Sequence, residues 1–311
     1  MRALLAFALL IGSLGTLKAQ PTAPPKALPE DPNRIVVGVS NVNLQFTVTD
    51  RRGRFVTGLQ KDDILVREGR NTQKILRFAS ESELPLRLAI LVDSSNSIRD
   101  RFRFIQEAAV EFINSVMRPG QDKAVVVSFD TAAEIQVDLT GDKEKLASSI
   151  RGLRAGGGTT LYDAIGLARE KLMQDQPSGQ FRRAMVILSD GDDNQSRYSR
   201  DQALELAQMA DVVIYAISTN SVTGARGEAA GDKVLKYFST ETGGLTFYPF
   251  KVEDLSQSFE NIANELRHQY SILYRPEPLK TDGSYQTIEV RVPTQGNLII
   301  RARRGYYAPR L

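Results

Sequence analysis

Oxygen-bearing side chains crowd into three short stretches of this chain. In "LAILVDSSNS", five apolar residues from Leu88 to Val92 run into Asp93, Ser94, Ser95, Asn96 and Ser97. "MVILSDGDDNQ" ends another apolar run on Asp190, and "RAGGGTTLYDAI" carries Thr159 and Thr160 behind three glycines. Two carboxylates and three hydroxyls brought to one place make an all-oxygen ligand set. Such a set suits a hard cation, Mg²⁺, Mn²⁺ or Ca²⁺, and suits zinc or copper poorly. Each residue has a plainer use, because Asp, Ser and Asn all favour helix N-caps. What separates the two uses is whether the three stretches meet.

The surrounding elements predict that they do. "LRLAILV", "KAVVVSF", "RAMVILS" and "DVVIYAIS" are continuous apolar runs of strand length, the pattern of parallel strands covered on both faces. Between the first two, Ile98, Phe102, Ile105, Ala109, Phe112 and Val116 recur at intervals of three and four, which predicts one helix with a core-facing stripe. "DKEKLASSIRGL", "DAIGLAREKLM" and "RDQALELAQMA" predict further helices, and "DLSQSFENIANELRHQ" the last. The alternation predicts an α/β fold from about residue 84 to 268, a doubly wound, mostly parallel sheet. Ligands of such sheets bind beyond the carboxyl ends of the strands, where Asp93 and Asp190 both fall.

On either side the period is two. Val42, Leu44, Phe46 and Val48 alternate with polar residues, the turn signal "DRRGR" follows, and two short strands flank "EGRN". Ile288, Val290 and Val292 alternate in the same way, with "SILYRP" and "NLIIRARRGYY" as neighbours. Neither the segment 34–80 nor the segment 270–311 buries a two-sided core alone. The two are therefore expected to pair into one β-sandwich with the α/β domain inserted between them.

At 311 residues and 41% apolar composition the chain can bury a normal core. "MRALLAFALLIGSLGTLKAQ" reads as a secretory signal peptide over residues 1–19, followed by a Pro-rich linker over 20–33. Its apolar run is short for a membrane span, so no integral span is expected after cleavage, and the expected location is secreted or periplasmic. The absence of cysteine excludes disulfides, thiolate-bound zinc and thiol catalysis. The formal charge of +3 loses two units if Arg2 and Lys18 leave with the leader, so no nucleic-acid partner is expected. "RARRGYYAPR" reads as a solvated strand and tail.

Taken in order, the Asp-x-Ser-x-Ser of "DSSNS", the Gly-Thr loop and "SDG" closely resemble the von Willebrand factor type A domain with its metal-ion-dependent adhesion site, as in integrin inserted domains. The resemblance implies that Asp93, Ser95, Ser97, Thr159 and Asp190 hold a divalent cation, Mg²⁺ first, with Mn²⁺ or Ca²⁺ as alternatives. Thr160 replaces Thr159 if the glycine run is shifted by one. It further implies an ion left open to a Glu or Asp of a protein partner, hence a non-enzymatic adhesion module. The flanking β segments resemble those of bacterial exported VWFA-related proteins, best known from acidobacteria. The alternative is a structural or assembly module of a cell-envelope complex whose metal only stabilises the fold. A Mg²⁺-dependent hydrolase has less support, since no general base and no phosphate-holding Arg or Lys stands beside the motif.

Three other patterns lead elsewhere. Asp190, Asp192 and Asn194 have EF-hand spacing, but Gln195 stands where that loop needs Gly and Asp201 where it needs Glu. Asp192 and Asp193 are accordingly expected to be solvated loop residues. No Lys follows the glycines, which argues against a phosphate loop. His268, the sole histidine, is expected at a surface helix end.

Overall fold

The computed structural model describes residues 41–80, 84–174, 181–220, 229–249, 254–293 and 296–310. The expected leader and linker lie outside them. In chain order the strands and helices are β1 (Val42–Thr49), β2 (Leu65–Glu68), β3 (Asn71–Gln73), β4 (Ile75–Ser80), β5 (Leu86–Asp93), α1 (Phe102–Val116), β6 (Lys123–Phe129), β7 (Ala133–Thr140), α2 (Lys143–Gly152) and α3 (Leu161–Gln174). They continue with β8 (Arg182–Ser189), α4 (Arg200–Met209), β9 (Val212–Ser218), α5 (Ala230–Thr242), β10 (Thr246–Phe247), α6 (Asp254–Arg267), β11 (Gln269–Tyr274), β12 (Tyr285–Arg291), β13 (Ile299–Ala302) and β14 (Gly305–Tyr307). No helix among the described residues is long and apolar enough to cross a membrane.

The four continuous apolar runs form the middle of a six-stranded sheet of order β10-β9-β8-β5-β6-β7, parallel except for β7. Successive side chains of β5 point to opposite faces. Leu88, Ile90 and Val92 pack with α1, α2 and α6, through residues such as Phe112, Ile150 and Phe259. Ala89 and Leu91 pack with α3, α4 and α5, through Ile165, Leu204 and Phe238. Burial on both faces is why these strands read as unbroken apolar runs. The Ile98 stripe is divided: Asn96–Arg101 is a 3-10 helix, and α1 proper begins at Phe102. β7, β10 and α5 are elements beyond those expected from the sequence.

Two antiparallel sheets, β13-β1-β11-β4 and β14-β12-β2-β3, interleave strands from both ends of the chain. β1 lies between β13 and β11, with Phe46 opposite Ala302 on one side and Tyr270 on the other. Val66 of β2 pairs with Val290 of β12. Leu44, Phe46, Val66, Ile272, Tyr274 and Val290 of the two sheets share one apolar cluster.

Two buried or half-buried arginines, Arg303 and Arg301, join these sheets to the α/β part, and a third, Arg182, ties together the two ends of the α/β part next to them. Arg303 donates to Asn43 O at 2.8 Å, to Asp211 Oδ1 at 2.8 Å and to Gln208 O at 3.2 Å. Arg301 pairs with Glu265, and Arg182 donates to the carbonyls of both Leu266 and Leu84. Only His268 separates α6 from β11. Its ring stacks on Phe55 at 4.5 Å and its Nδ1 lies 2.7 Å from Asn264 O, so the sole histidine is a joint residue at a helix end.

Candidate functional site

β5 and β8 are parallel neighbours, with Val92 opposite Leu188. Both strands run out at the same edge, so Asp93 and Asp190 leave the sheet side by side. Ser189 links them: its Oγ donates to Asp93 Oδ2 at 2.7 Å and accepts from Gly191 N at 3.0 Å. Asp93 Oδ1 accepts from Ser95 N at 2.9 Å, a side-chain turn that bends the chain after the strand. Ser95 is the N-cap residue of the 3-10 helix, yet its side chain makes no capping bond. Its Oγ lies 2.8 Å from Ser97 Oγ instead, so the two hydroxyls are paired with each other and the plain helix-cap use fails for Ser95.

The Gly-rich loop is stitched to this first loop. Gly156 N donates to Ser94 O at 2.6 Å, and Asn96 donates from its N and Nδ2 to Gly157 O at 3.4 and 3.3 Å. The third loop is stitched to the second through Asn194, whose Oδ1 accepts from Thr159 N at 3.1 Å while its own N donates to Thr159 O at 3.1 Å. The structure thus brings all three stretches to one edge. Asp93, Ser95, Thr159, Thr160 and Asp190 are buried there and Ser97 is exposed.

Burial pushes the Asp93 carboxyl up to about 6, against the pull of hydrogen bonds from Ser189 and Ser95, and Asp190 adds to the rise. Burial and Asp190 also raise Asp192. Thr160 Oγ1 is buried without a hydrogen-bond partner. A buried carboxyl that resists ionising and a buried hydroxyl left unpaired are both groups that a cation would satisfy. Among the described residues no group of three or more His, Cys, Asp or Glu side chains could hold a metal, so an ion at this edge must take hydroxyl oxygens as well as the two carboxylates. The donor set fits a hard divalent cation.

The model of the family described as the von Willebrand factor type A domain matches residues 88–265, more than half of the chain. The chain belongs to that family. Its VWA domain carries all three stretches of the candidate site. Among solved structures, it is similar to a von Willebrand factor type A protein from Catenulispora acidiphila, with 12% identity, coverage of 78% of this chain and 75% of that one, and a TM-score of 0.50. It is also similar to proximal thread matrix protein 1 from the mussel byssus, determined with a zinc-occupied metal-ion-dependent adhesion site motif. There the identity is 18%, the coverage 63% of this chain and 48% of the other, and the TM-score 0.50. An uncharacterized protein of Borreliella burgdorferi is 26% identical over 196 residues, and the chain spans 55% of its length.

Several positioning residues of the VWA domain carried no signal of their own in the sequence. Ser189 lies within "SDG", but its bond to Asp93 spans 96 positions. Asp193, expected to be solvated, accepts from Tyr162 N at 3.0 Å and Ser196 Oγ at 2.6 Å and so braces the first turn of α3. Asn194, the third member of the EF-hand-like spacing, is spent on holding Thr159. Gly191, at φ +83°, and Gly231 touch backbone to backbone: a Cβ on Gly231 would come within 2.0 Å of Asp190 O.

Proposed function

We propose that the VWA domain binds a divalent cation through Asp93, Ser95, Ser97, Asp190 and a threonine hydroxyl, from Thr159 or from Thr160, and that it uses the ion to dock an acidic residue of a protein partner. The observation that carries this reading is the meeting of two carboxylates with paired serine hydroxyls and an unpartnered buried threonine hydroxyl at one sheet edge. Two carboxylates only just offset a dication, so the ion keeps an attraction for one more anionic oxygen. A partner's Glu or Asp supplies that oxygen, and the contact is then a charge-assisted one that chelators abolish. This is a binding activity with no catalytic residue. The leader-like residues 1–19 support an exported protein, secreted or periplasmic, in which the two antiparallel sheets form one platform under the docking edge.

Calorimetric titration of Mg²⁺, Mn²⁺, Ca²⁺ and Zn²⁺ into EDTA-stripped protein tests the cation reading. Zinc belongs in the series because the mussel protein carries it at its motif. Wild type is expected to bind one of these ions saturably, and Asp93→Ala and Asp190→Ala to bind none. An absence of heat and of thermal stabilisation with all four ions would overturn the reading.

A further inference from the structure

Beside the docking edge lies a cleft of about 550 Å³ between α1 and α2, lined by Arg99, Phe102, Arg103, Glu107, Arg151 and Arg154. Four guanidinium groups line the cleft with one carboxylate, Glu107, which pairs with Arg103 at 3.2 Å. Arg151 also has Glu144 at 3.7 Å, an exposed and long pair. Arg99 and Arg154 have no acidic partner among these pairs, so the lining keeps an excess of positive charge. The cleft is a built feature: Gln106, at its floor, donates to Ile150 O at 2.6 Å and Leu153 O at 3.2 Å, pinning the end of α2 to α1. It is also continuous with the candidate site. Arg99 Nη2 reaches Asn96 Oδ1 at 3.0 Å and Ala155 O at 3.4 Å, and Asn96 in turn holds Gly157 of the Gly-rich loop.

We infer that the partner presents an acidic segment, with one carboxylate docking at the Asp93 and Asp190 edge and its neighbours lying in the arginine cleft, an inference that rests on the docking reading above. Planar guanidinium groups match carboxylates in two-point hydrogen bonds. Basic side chains beside a docking point steer an acidic segment toward it and set its register. A carboxylate is also the anion that the docking reading requires at the adjacent edge, so an acidic protein segment serves both places with one kind of group. The recognition therefore has two separable parts, one sensitive to chelators and one sensitive to salt.

The test is fluorescence anisotropy of a labelled oligo-glutamate of about ten residues, titrated with the whole chain in Mg²⁺ and in EDTA. The variants are Asp93→Ala and the double substitution Arg151→Gln with Arg154→Gln. An unchanged melting curve shows that the double variant keeps its fold. It is expected to bind roughly three- to tenfold more weakly than wild type, with a shallower salt dependence. EDTA and Asp93→Ala are expected to weaken wild-type binding independently of that loss. Wild-type affinity in the double variant would overturn the inference while leaving the docking reading intact. Binding lost in the double variant yet indifferent to EDTA and to Asp93→Ala would support the cleft and overturn the docking reading. Heparin that binds more tightly than oligo-glutamate, and equally in EDTA, would overturn the assignment to an acidic protein segment.

Discussion

Asp190 is set in place by backbone as much as by side chains. Gly231, at the start of α5, approaches the Asp190 carbonyl so closely that no side chain fits between them. Gly231→Ala must push the Asp190 loop away. The expected cost is about 1–3 kcal/mol of stability, with weaker cation binding, read by urea denaturation and the calorimetric titration together. A side chain there that left both unchanged would show that the loop has slack. The three stretches that build the site were legible because each ends an apolar run or opens a helix in a characteristic oxygen-rich cluster. Ser189, Asn194 and Gly231 were not, because what they do is decided by neighbours far along the chain, and a Ser, an Asn or a Gly in a loop carries no mark of such a neighbour.

At the scale of the element, the opposite ends of β5 and β6 show how the sheet is anchored. Asp122 accepts from Leu86 N at 2.8 Å and from the Arg118 guanidinium at 2.9 Å, and its side chain is only 1% exposed. Burial raises its pKa, but the bonds from Arg118 and from the N–H groups of Leu86 and Arg118 outweigh this and hold it below the usual carboxylate range. A carboxyl depressed in the folded state stabilises the fold above its unfolded pKa, and this contribution disappears as pH falls through the lower, folded value. Between about pH 5 and about pH 2, wild type is expected to lose more stability than Asp122→Asn. Urea midpoints measured across that range check this, and parallel pH curves for the two would refute it. β5, β6, β8 and β9 were readable because both faces of each are covered. β7 also carries a strand signal, Ala133, Ile135, Val137 and Leu139 alternating with the exposed Glu134, Gln136 and Asp138, but a period of two does not show that this strand closes the edge of the parallel sheet. β10 has two residues, too few for any period.

At the scale of the molecule, period-two runs reveal strands but not their partners. Val42 to Val48 read as one half-buried strand from sequence, yet its place between β11 and β13 depends on residues more than two hundred positions away. Arg303 crosses from the antiparallel sheets to the α/β part and is itself buried. Arg303→Ala removes the guanidinium from Asn43 O, Gln208 O and Asp211 Oδ1, leaving the Asp211 carboxylate without its paired charge, at an expected cost of about 2–4 kcal/mol. Urea denaturation followed by tyrosine fluorescence reads this cost, and a loss below about 0.5 kcal/mol would mean that the joint relies on other contacts.

Arg182 holds the carbonyls of Leu84 and Leu266 on one guanidinium, so residues near the start and the end of the α/β part meet across a single side chain. That contact bears on the order of folding. While the insert is unfolded, bringing β1 to β11 means closing a loop of more than two hundred residues, an entropic cost that grows with loop length. Once the α/β part has folded, its two ends are already together and the loop is in effect short. By this argument β1 docks most readily after the α/β part has folded, and Arg182, which belongs to neither antiparallel sheet, helps to hold together the ends that it must bridge.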